Sequence, residues 1–325
     1  MNNKKYLVIA ILVIGALALG ACGSSAATTA DTAADDAAME EAAPAEEMAA
    51  EEAAPAAASV AVDAATPESY DENGIPVYGC LGSADTALVD LDCREITIAV
   101  EDAYLPFNYI YEGKAGGWDY VVIPQICELL HCTPVFQECS WDIMIQSVAD
   151  GLYDMAGDGI TITPDRDEIV DFSDSYISID QRLLVRMGED RFASIEDFVT
   201  NPDLILGTQV ATTNYETAAS YLPEDRISAF EQFPFAVQSL LSNDVDAVLI
   251  DEQAGLGYIS QNPDALEFVG PSISSDLLGF VFPNGSDLVE PFNTALAELK
   301  SNGFLQDVNT QFFGLSFTLT YDDIE

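Results

Sequence analysis

Positive charge is what this sequence has least of. Its 325 residues carry 10 lysines and arginines against 56 aspartates and glutamates, a formal net charge of −46. From Pro76 onward the count is 8 against 43, and Lys114 and Lys300 are the lysines of that stretch. Such a surface repels nucleic acid and anionic headgroups, so nucleic acid is excluded as a partner. Histidine is almost missing as well, with His131 the single one. There is no zinc-type Cys/His spacing and no Gly-rich phosphate-cradling loop with a lysine, so neither a metal site nor nucleotide hydrolysis is expected, and no cofactor. Beyond the first twenty residues no apolar run is long enough to span a bilayer.

What is present begins with "MNNKK" and the apolar run "YLVIAILVIGALALG", the flanks and length of a signal peptide. The run ends in "LGAC", which resembles the lipobox of bacterial lipoproteins. Residues 1–21 are then a leader, and Cys22 is the expected lipidated N-terminus, which places the chain outside the cytoplasm on a lipid anchor. Residues 22–75 are dominated by Ala, Glu, Asp, Thr and Pro. The stretch "AAMEEAAPAEEMAAEEAAPAAA" has too little apolar surface to offset its ordering entropy, so a solvated, disordered tether is expected to 75.

In an exported chain, cysteines are expected in disulfides. Cys80 and Cys93 flank a loop before the first strand, where a bridge would clamp the lead-in. Cys127 and Cys132 sit at a predicted helix end. Cys139 makes the number odd, and connectivity stays open. Cys–His nucleophilic chemistry is disfavoured, because His131 lies at a predicted helix C-terminus rather than in a cleft.

From Glu95 the pattern alternates strand and helix. "EITIAVE", "TPVFQEC" and "YDMAGDGITIT" read as strands, the last running into a loop; "WDYVVIPQICELLH", perturbed at Pro124, and "WDIMIQSVADG" read as helices. A second such run follows in "LILGTQV", "TNYETAASYL", "RISAFEQ", "FAVQSLLSN" and "DAVLID". A last helix, "SDLVEPFNTALAELKSNG", has capping residues at both ends. Two α/β units imply a cleft at the carboxyl ends of their strands.

The scarce arginine now has a place. In "TITPDR", Thr163 is a predicted N-cap, Pro164 the first helical residue, and Arg166 lies in the first turn just past a strand end. A guanidinium there can hold a carboxylate bidentately. Across the cleft, Thr213-x-x-Glu216 has capping-box spacing, and Asp251 ends the strand "DAVLID", suited to an ammonium. A carboxylate holder and an ammonium holder facing each other describe a free α-amino acid. Taken singly, each has a structural explanation: Arg166 paired with Asp165 or Asp167, Thr213 as a cap, Asp251 as a solvated loop acid.

The ordered motifs "YLPFNY", "GWDYVV", "WDIMIQSVADGLYD", "GITITPDRDEIVDFSDSY" and "VDAVLIDE" resemble the extracytoplasmic solute-binding proteins of polar amino-acid ABC importers, family 3 type, from about Glu95 to Gly314. The resemblance implies a two-lobed, periplasmic-binding-protein-like α/β fold of type II, with two hinge strands and a lobe pair that closes on its ligand. Lobe 1 is then 76–183 plus 278–325 and lobe 2 is 184–277, with crossings near Gln181–Leu184 and Leu278–Val281. It implies that Arg166 and Thr161, helped by Thr213, bind the α-carboxylate and Asp251 the α-ammonium. Tyr104 and Trp141 stand where relatives stack rings on the ligand side chain. Where this chain has Ala211, relatives often carry Gly.

Glu101 stands where relatives that bind lysine, arginine, ornithine or histidine carry an acid, and Asp158 lies beside Gly159 in the same loop region. With Arg166 against Glu101, Asp158 and Asp251, the site sums to −2 if every acid is ionised. A cationic amino acid is expected, with glutamine the runner-up. The implied partners are a free L-amino acid and an ABC permease, and the expected state is a monomer. A dehydratase-like enzyme on the same fold would need a positioned acid and base on a ring acid. A sensor module would need signalling domains.

Overall fold

The computed structural model describes residues 65–314, 317 and 319, all within the compact unit Ala57–Glu325. The leader, Cys22 and most of the tether lie outside the described residues. Folded structure starts before the expected tether boundary at 75. Ser69–Tyr70 pairs antiparallel with Pro76–Val77, and Ile75 is buried, because the apolar residues Ile75 and Tyr78 pack on the core.

Two five-stranded sheets carry the architecture. The first runs in the order Cys132–Glu138, Arg94–Val100, Met155–Ala156, Val281–Pro283, Val170–Phe172. Its first three strands are parallel and Val281–Pro283 is antiparallel to both neighbours. Alternation along Arg94–Val100 sends Ile96, Ile98 and Val100 to the face covered by the helix Trp118–Leu130, and Ala99 to the face where Met144 and Val148 of the helix Trp141–Ala149 pack. The segment expected to run as a strand through "GITIT" pairs regularly only at Met155–Ala156, with one further bridge from Thr161 to Leu278. The rest is loop and lines the cleft. The helix Trp118–Leu130 continues through Pro124. The helix Val289–Ser301 starts at Leu288, which offers no side-chain cap; Ser286 accepts the Leu288 N–H instead (3.3 Å).

The second sheet runs Ile227–Phe230, Leu206–Gln209, Ala247–Asp251, Ile177–Arg186, Leu266–Leu278. Leu183, Leu206 and Leu249 face Phe198 and Ala218; Leu184, Val248 and Ile250 face Val237, Leu240 and Ala254. The two long strands Ile177–Arg186 and Leu266–Leu278 pair antiparallel and connect the lobes, with a register shift between Gln181 and Leu183. Beyond Leu278, Val281–Pro283 enters the first sheet. The architecture is a two-lobed α/β fold with two connecting strands.

Both bridges form, Cys80–Cys93 and Cys127–Cys132, leaving Cys139 free and buried. The lead-in holds the C-terminal end of Trp118–Leu130. Leu88, Leu91 and Cys93 donate backbone N–H groups to Leu129, Leu130 and His131, carbonyls the helix leaves unpaired. Among the described residues no helix is long and apolar enough to cross a membrane.

Candidate functional site

Strand ends from both sheets converge on one tight cavity of about 30 Å³, far below the roughly 300–1,000 Å³ typical of ligand pockets. Glu101, Tyr104, Trp141, Asp158, Gly159, Thr161 and Arg166 line it from one lobe, and Thr213 and Asp251 from the other. All nine site residues singled out in the sequence are thus brought together. Gln209, Thr212, Asn214 and Phe233 line it too and were not singled out. Asn214 sits beside Thr213 in "TTNYE", and Gln209 ends a strand, so both had a positional signal. Phe233 had none beyond opening a helix.

Arg166 is buried at 9% exposure in the single turn Pro164–Asp167, whose N-cap Thr163 accepts the Arg166 N–H (3.2 Å). Its guanidinium donates to the carbonyls of Thr161 (2.9 Å) and Ala211 (3.4 Å) and lies under Trp141, 5.5 Å from the ring centroid. Among the described residues it forms no salt bridge, so pairing with Asp165 or Asp167 does not occur. Burial pulls its pKa down while Glu216, Asp276 and Asp251 push it back up. A buried cation without a carboxylate partner suits an incoming anion.

The cap of the facing helix Thr213–Tyr221 is Thr212, not Thr213. Thr212 accepts the Tyr215 N–H (3.1 Å) and donates to the Gln209 carbonyl (2.8 Å). With the neighbouring threonine taking the backbone, the Thr213 hydroxyl turns to the cavity, 3.4 Å from Thr161 Oγ1 and 3.2 Å from Gln181 Nε2. Ala211 adopts the left-handed conformation that glycine favours (φ 60°). Its carbonyl is thereby available to Arg166. Gly159 also has positive φ (58°), and a Cβ there would meet the Tyr104 ring at 2.8 Å.

On the ammonium side, Asp251 is 8% exposed and accepts from Tyr104 Oη and from Asn214 Nδ2 (3.1 Å). Burial raises its pKa to about 6 against these hydrogen bonds. Tyr104 stacks on Phe107 (5.3 Å) and Phe233 (6.2 Å). The ring opposite Tyr104 is therefore Phe233, whereas Trp141 already covers the Arg166 cation.

Glu101, also on the cavity wall, accepts from Gln209 Nε2 (3.2 Å) and is raised to about 7, chiefly by burial. Asp158 is 1% exposed; one oxygen accepts from Asn108 Nδ2 and the other is unpartnered. Asn108 also donates to Asp119 (2.9 Å), a fully buried acid raised to about 8 by burial. Burial, reinforced by Glu101 and Asp119, pushes Asp158 well above the usual carboxylate range. The charge of −2 counts Asp158 as ionised, and burial beside two acids shifts that carboxyl toward its protonated form, which makes the site less negative.

The model for bacterial extracellular solute-binding proteins, family 3, matches residues 96–315. A probable histidine-binding protein of Campylobacter jejuni is 25% identical over 203 residues, 62% of this chain and 78% of that one. The fold matches a solved ancestral arginine-binding protein bound to glutamine at 30% identity and TM-score 0.63, covering 68% of this chain and 98% of that one. It also matches the arginine-, lysine-, histidine-binding protein ArtJ from Geobacillus stearothermophilus, at 28% identity and TM-score 0.62, covering 68% and 96%.

Proposed function

The chain belongs to the bacterial extracellular solute-binding proteins, family 3, and on that premise we propose that it binds a cationic L-amino acid between its lobes and delivers it to an ABC permease. The observation that carries this reading is the pairing of opposite charges across one cavity: Arg166, buried without a carboxylate, faces the buried Asp251. Arg166, with Thr161 and Thr213, takes the α-carboxylate. Asp251, with Asn214, takes the α-ammonium. The side chain extends past Tyr104, Phe233 and Trp141 toward Glu101, which lines the same cavity and ionises when a cation arrives. Arginine-, lysine- and histidine-binding relatives support the choice.

Glutamine is the second reading. Protonated Glu101 and Asp158 could donate to its amide oxygen, Gln209 lies beside them, and one structural neighbour was solved with glutamine. We further propose that Cys22 carries the lipid anchor and that the lobes close by bending near Gln181–Leu184 and Leu278–Val281.

The test is competition binding of arginine, lysine, ornithine, histidine, glutamine and glutamate at fixed ionic strength, with thermal shift as a second readout. A specific ligand at a hundred times its Kd adds about 2.7 kcal/mol of stability. Arginine, lysine or ornithine should win. Victory for glutamate or a neutral amino acid rejects the cationic reading, and absence of any amino-acid binder rejects the site.

A further inference from the structure

Away from the cleft, the chain's histidine sits against a disulfide. Cys80 and Cys93 are exposed, and His131, at the end of Trp118–Leu130, brings Nε2 to 3.1 Å from Cys93 Sγ. Nδ1 of the same ring lies 2.7 Å from Asp90 Oδ1, an oxygen that also accepts the Asp92 N–H at 2.9 Å. A carboxylate on Nδ1 sets the tautomer: Nδ1 keeps the hydrogen and Nε2 presents a lone pair. In the bridged state that lone pair faces a sulfur with no proton to give. The contact is held by the backbone as well, since Cys93 N–H donates to the His131 carbonyl (2.9 Å). Asp92, Cys93 and His131 all adopt positive φ (52°, 56° and 55°), a costly conformation for side chains with a Cβ.

The two sulfurs and an imidazole nitrogen all lie within 4.8 Å of one another. We propose that, once the Cys80–Cys93 bridge is reduced, these three side chains form a site for a soft divalent cation of the Zn²⁺ type, with Asp90 orienting the imidazole. A dithiol gives two electrons and two protons, becomes a disulfide, and leaves Cys80 and Cys93 as thiols. Zn²⁺ then displaces both thiol protons and binds two thiolates and Nε2, with the fourth position open to water. Thiolate and imidazole donors select zinc over calcium or magnesium. A carboxylate behind a ligating histidine is the usual outer partner of such sites.

The exchange has a structural use. The segment around Cys80–Cys93 supplies the N–H groups that satisfy the end of Trp118–Leu130. A bridge clamps that segment under oxidising conditions, and a metal joining the same residues would clamp it under reducing ones. The second pair, Cys127–Cys132, is fully buried. Among the described residues, the His131 ring nitrogens contact Cys93 and Asp90.

The full chain is reduced with a dithiol, desalted without oxygen and titrated with Co²⁺ and then Zn²⁺. About one Co²⁺ per chain is expected, with strong thiolate-to-cobalt absorption in the near ultraviolet that Zn²⁺ abolishes. The oxidised chain and a Cys80→Ser/Cys93→Ser variant should show none, and a Cys127→Ser/Cys132→Ser variant should keep the band. Asp90→Ala should weaken binding about 10–100-fold, and His131→Ala at least as much. A band that survives in Cys80→Ser/Cys93→Ser, no band in the reduced chain, or a bridge that the dithiol cannot open overturns the proposal.

Discussion

Ligand binding should exchange protons with the buffer, and the exchange should distinguish ligands by charge. Glu101 is raised to about 7, first by burial and further by Asp142 and Asp102, with Gln209 and Gln232 opposing. A cationic side chain delivered to that carboxyl stabilises its ionised form. At pH 6 a group with that pKa is about nine-tenths protonated and at pH 8 about one-tenth. A ligand that requires the carboxylate therefore gains roughly tenfold in affinity between pH 6 and pH 8, ~1.4 kcal/mol. It also releases close to one proton at pH 6. Asp251, raised to about 6, adds proton release for every amino acid, because all bring an ammonium. The difference between arginine and glutamine cancels that contribution and isolates Glu101. Calorimetry in two buffers of different ionisation enthalpy, at both pH values, measures it. Glu101→Gln should erase the difference and weaken cationic ligands by about 1–3 kcal/mol. Equal proton release for arginine and glutamine, with equal pH slopes, would refute the reasoning. In the ligand-free chain the same carboxyl makes stability depend on pH. A carboxyl whose pKa rises on folding contributes stability that is fully present below its unfolded value of 4.5 and lost as pH climbs through about 7. For Glu101 the loss is on the order of 3 kcal/mol, and Asp102, Asp119 and Asp251 act in the same direction. Stability should fall across that window and recover when a cationic ligand is added.

Arg166→Ala leaves the ligand carboxylate poorly paired and should cost on the order of 3 kcal/mol of affinity; calorimetry showing binding within a few-fold of the original chain would reject its role. The two threonines should separate: Thr212→Ala lowers stability by about 1 kcal/mol through loss of the cap, while Thr213→Val spares the thermal midpoint and weakens ligand binding. Small-angle scattering should show compaction when ligand is added, by bending at the two connecting strands; an unchanged radius at saturation would indicate a rigid site. Cys22→Ser should move the protein from the detergent phase to the aqueous phase on cell fractionation, and identical partitioning of both forms would exclude the anchor.

The strand ends were legible because their chemistry is local. A threonine–proline turn fixes where Arg166 falls relative to its strand, and "DAVLID" delivers Asp251 to a strand terminus because its continuous apolar run ends there. The cap at residues 212–213 was not. Thr213 and Glu216 have the spacing of a capping box, but Thr212 is chemically the same residue one step earlier. Only the left-handed Ala211 decides which hydroxyl meets the helix. One residue of frame changes the meaning of both: a threonine that caps is unavailable to the cleft, and its neighbour becomes available. The Cys93–His131 contact was illegible for a different reason, since 38 residues separate partners that only the fold brings together.

Charge was the least legible property, because a sequence displays acids and not their solvation. Asn108 illustrates why. It lies in "YLPFNY", seven residues past Glu101, with no signal beyond that motif, yet its one amide nitrogen donates to both Asp119 and Asp158. The neutral donors to these two buried carboxyls are Asn108 and, at 3.4 Å, the Glu101 N–H, and among the described residues neither acid forms a salt bridge, so burial favours protonation. The carboxyl free to respond is then Glu101, which touches the cavity on one side and Gln209 of the other lobe on the other. In a chain of net charge −46, burial thus favours the protonated forms of Asp158 and Glu101 in the cleft, while Asp251, raised only to about 6, stays largely ionised at neutral pH. Selectivity for a cation would arise because the ligand draws a proton off Glu101 rather than because it meets charge already there, and that is why the pH slope, more than affinity at neutral pH, distinguishes an arginine site from a glutamine site.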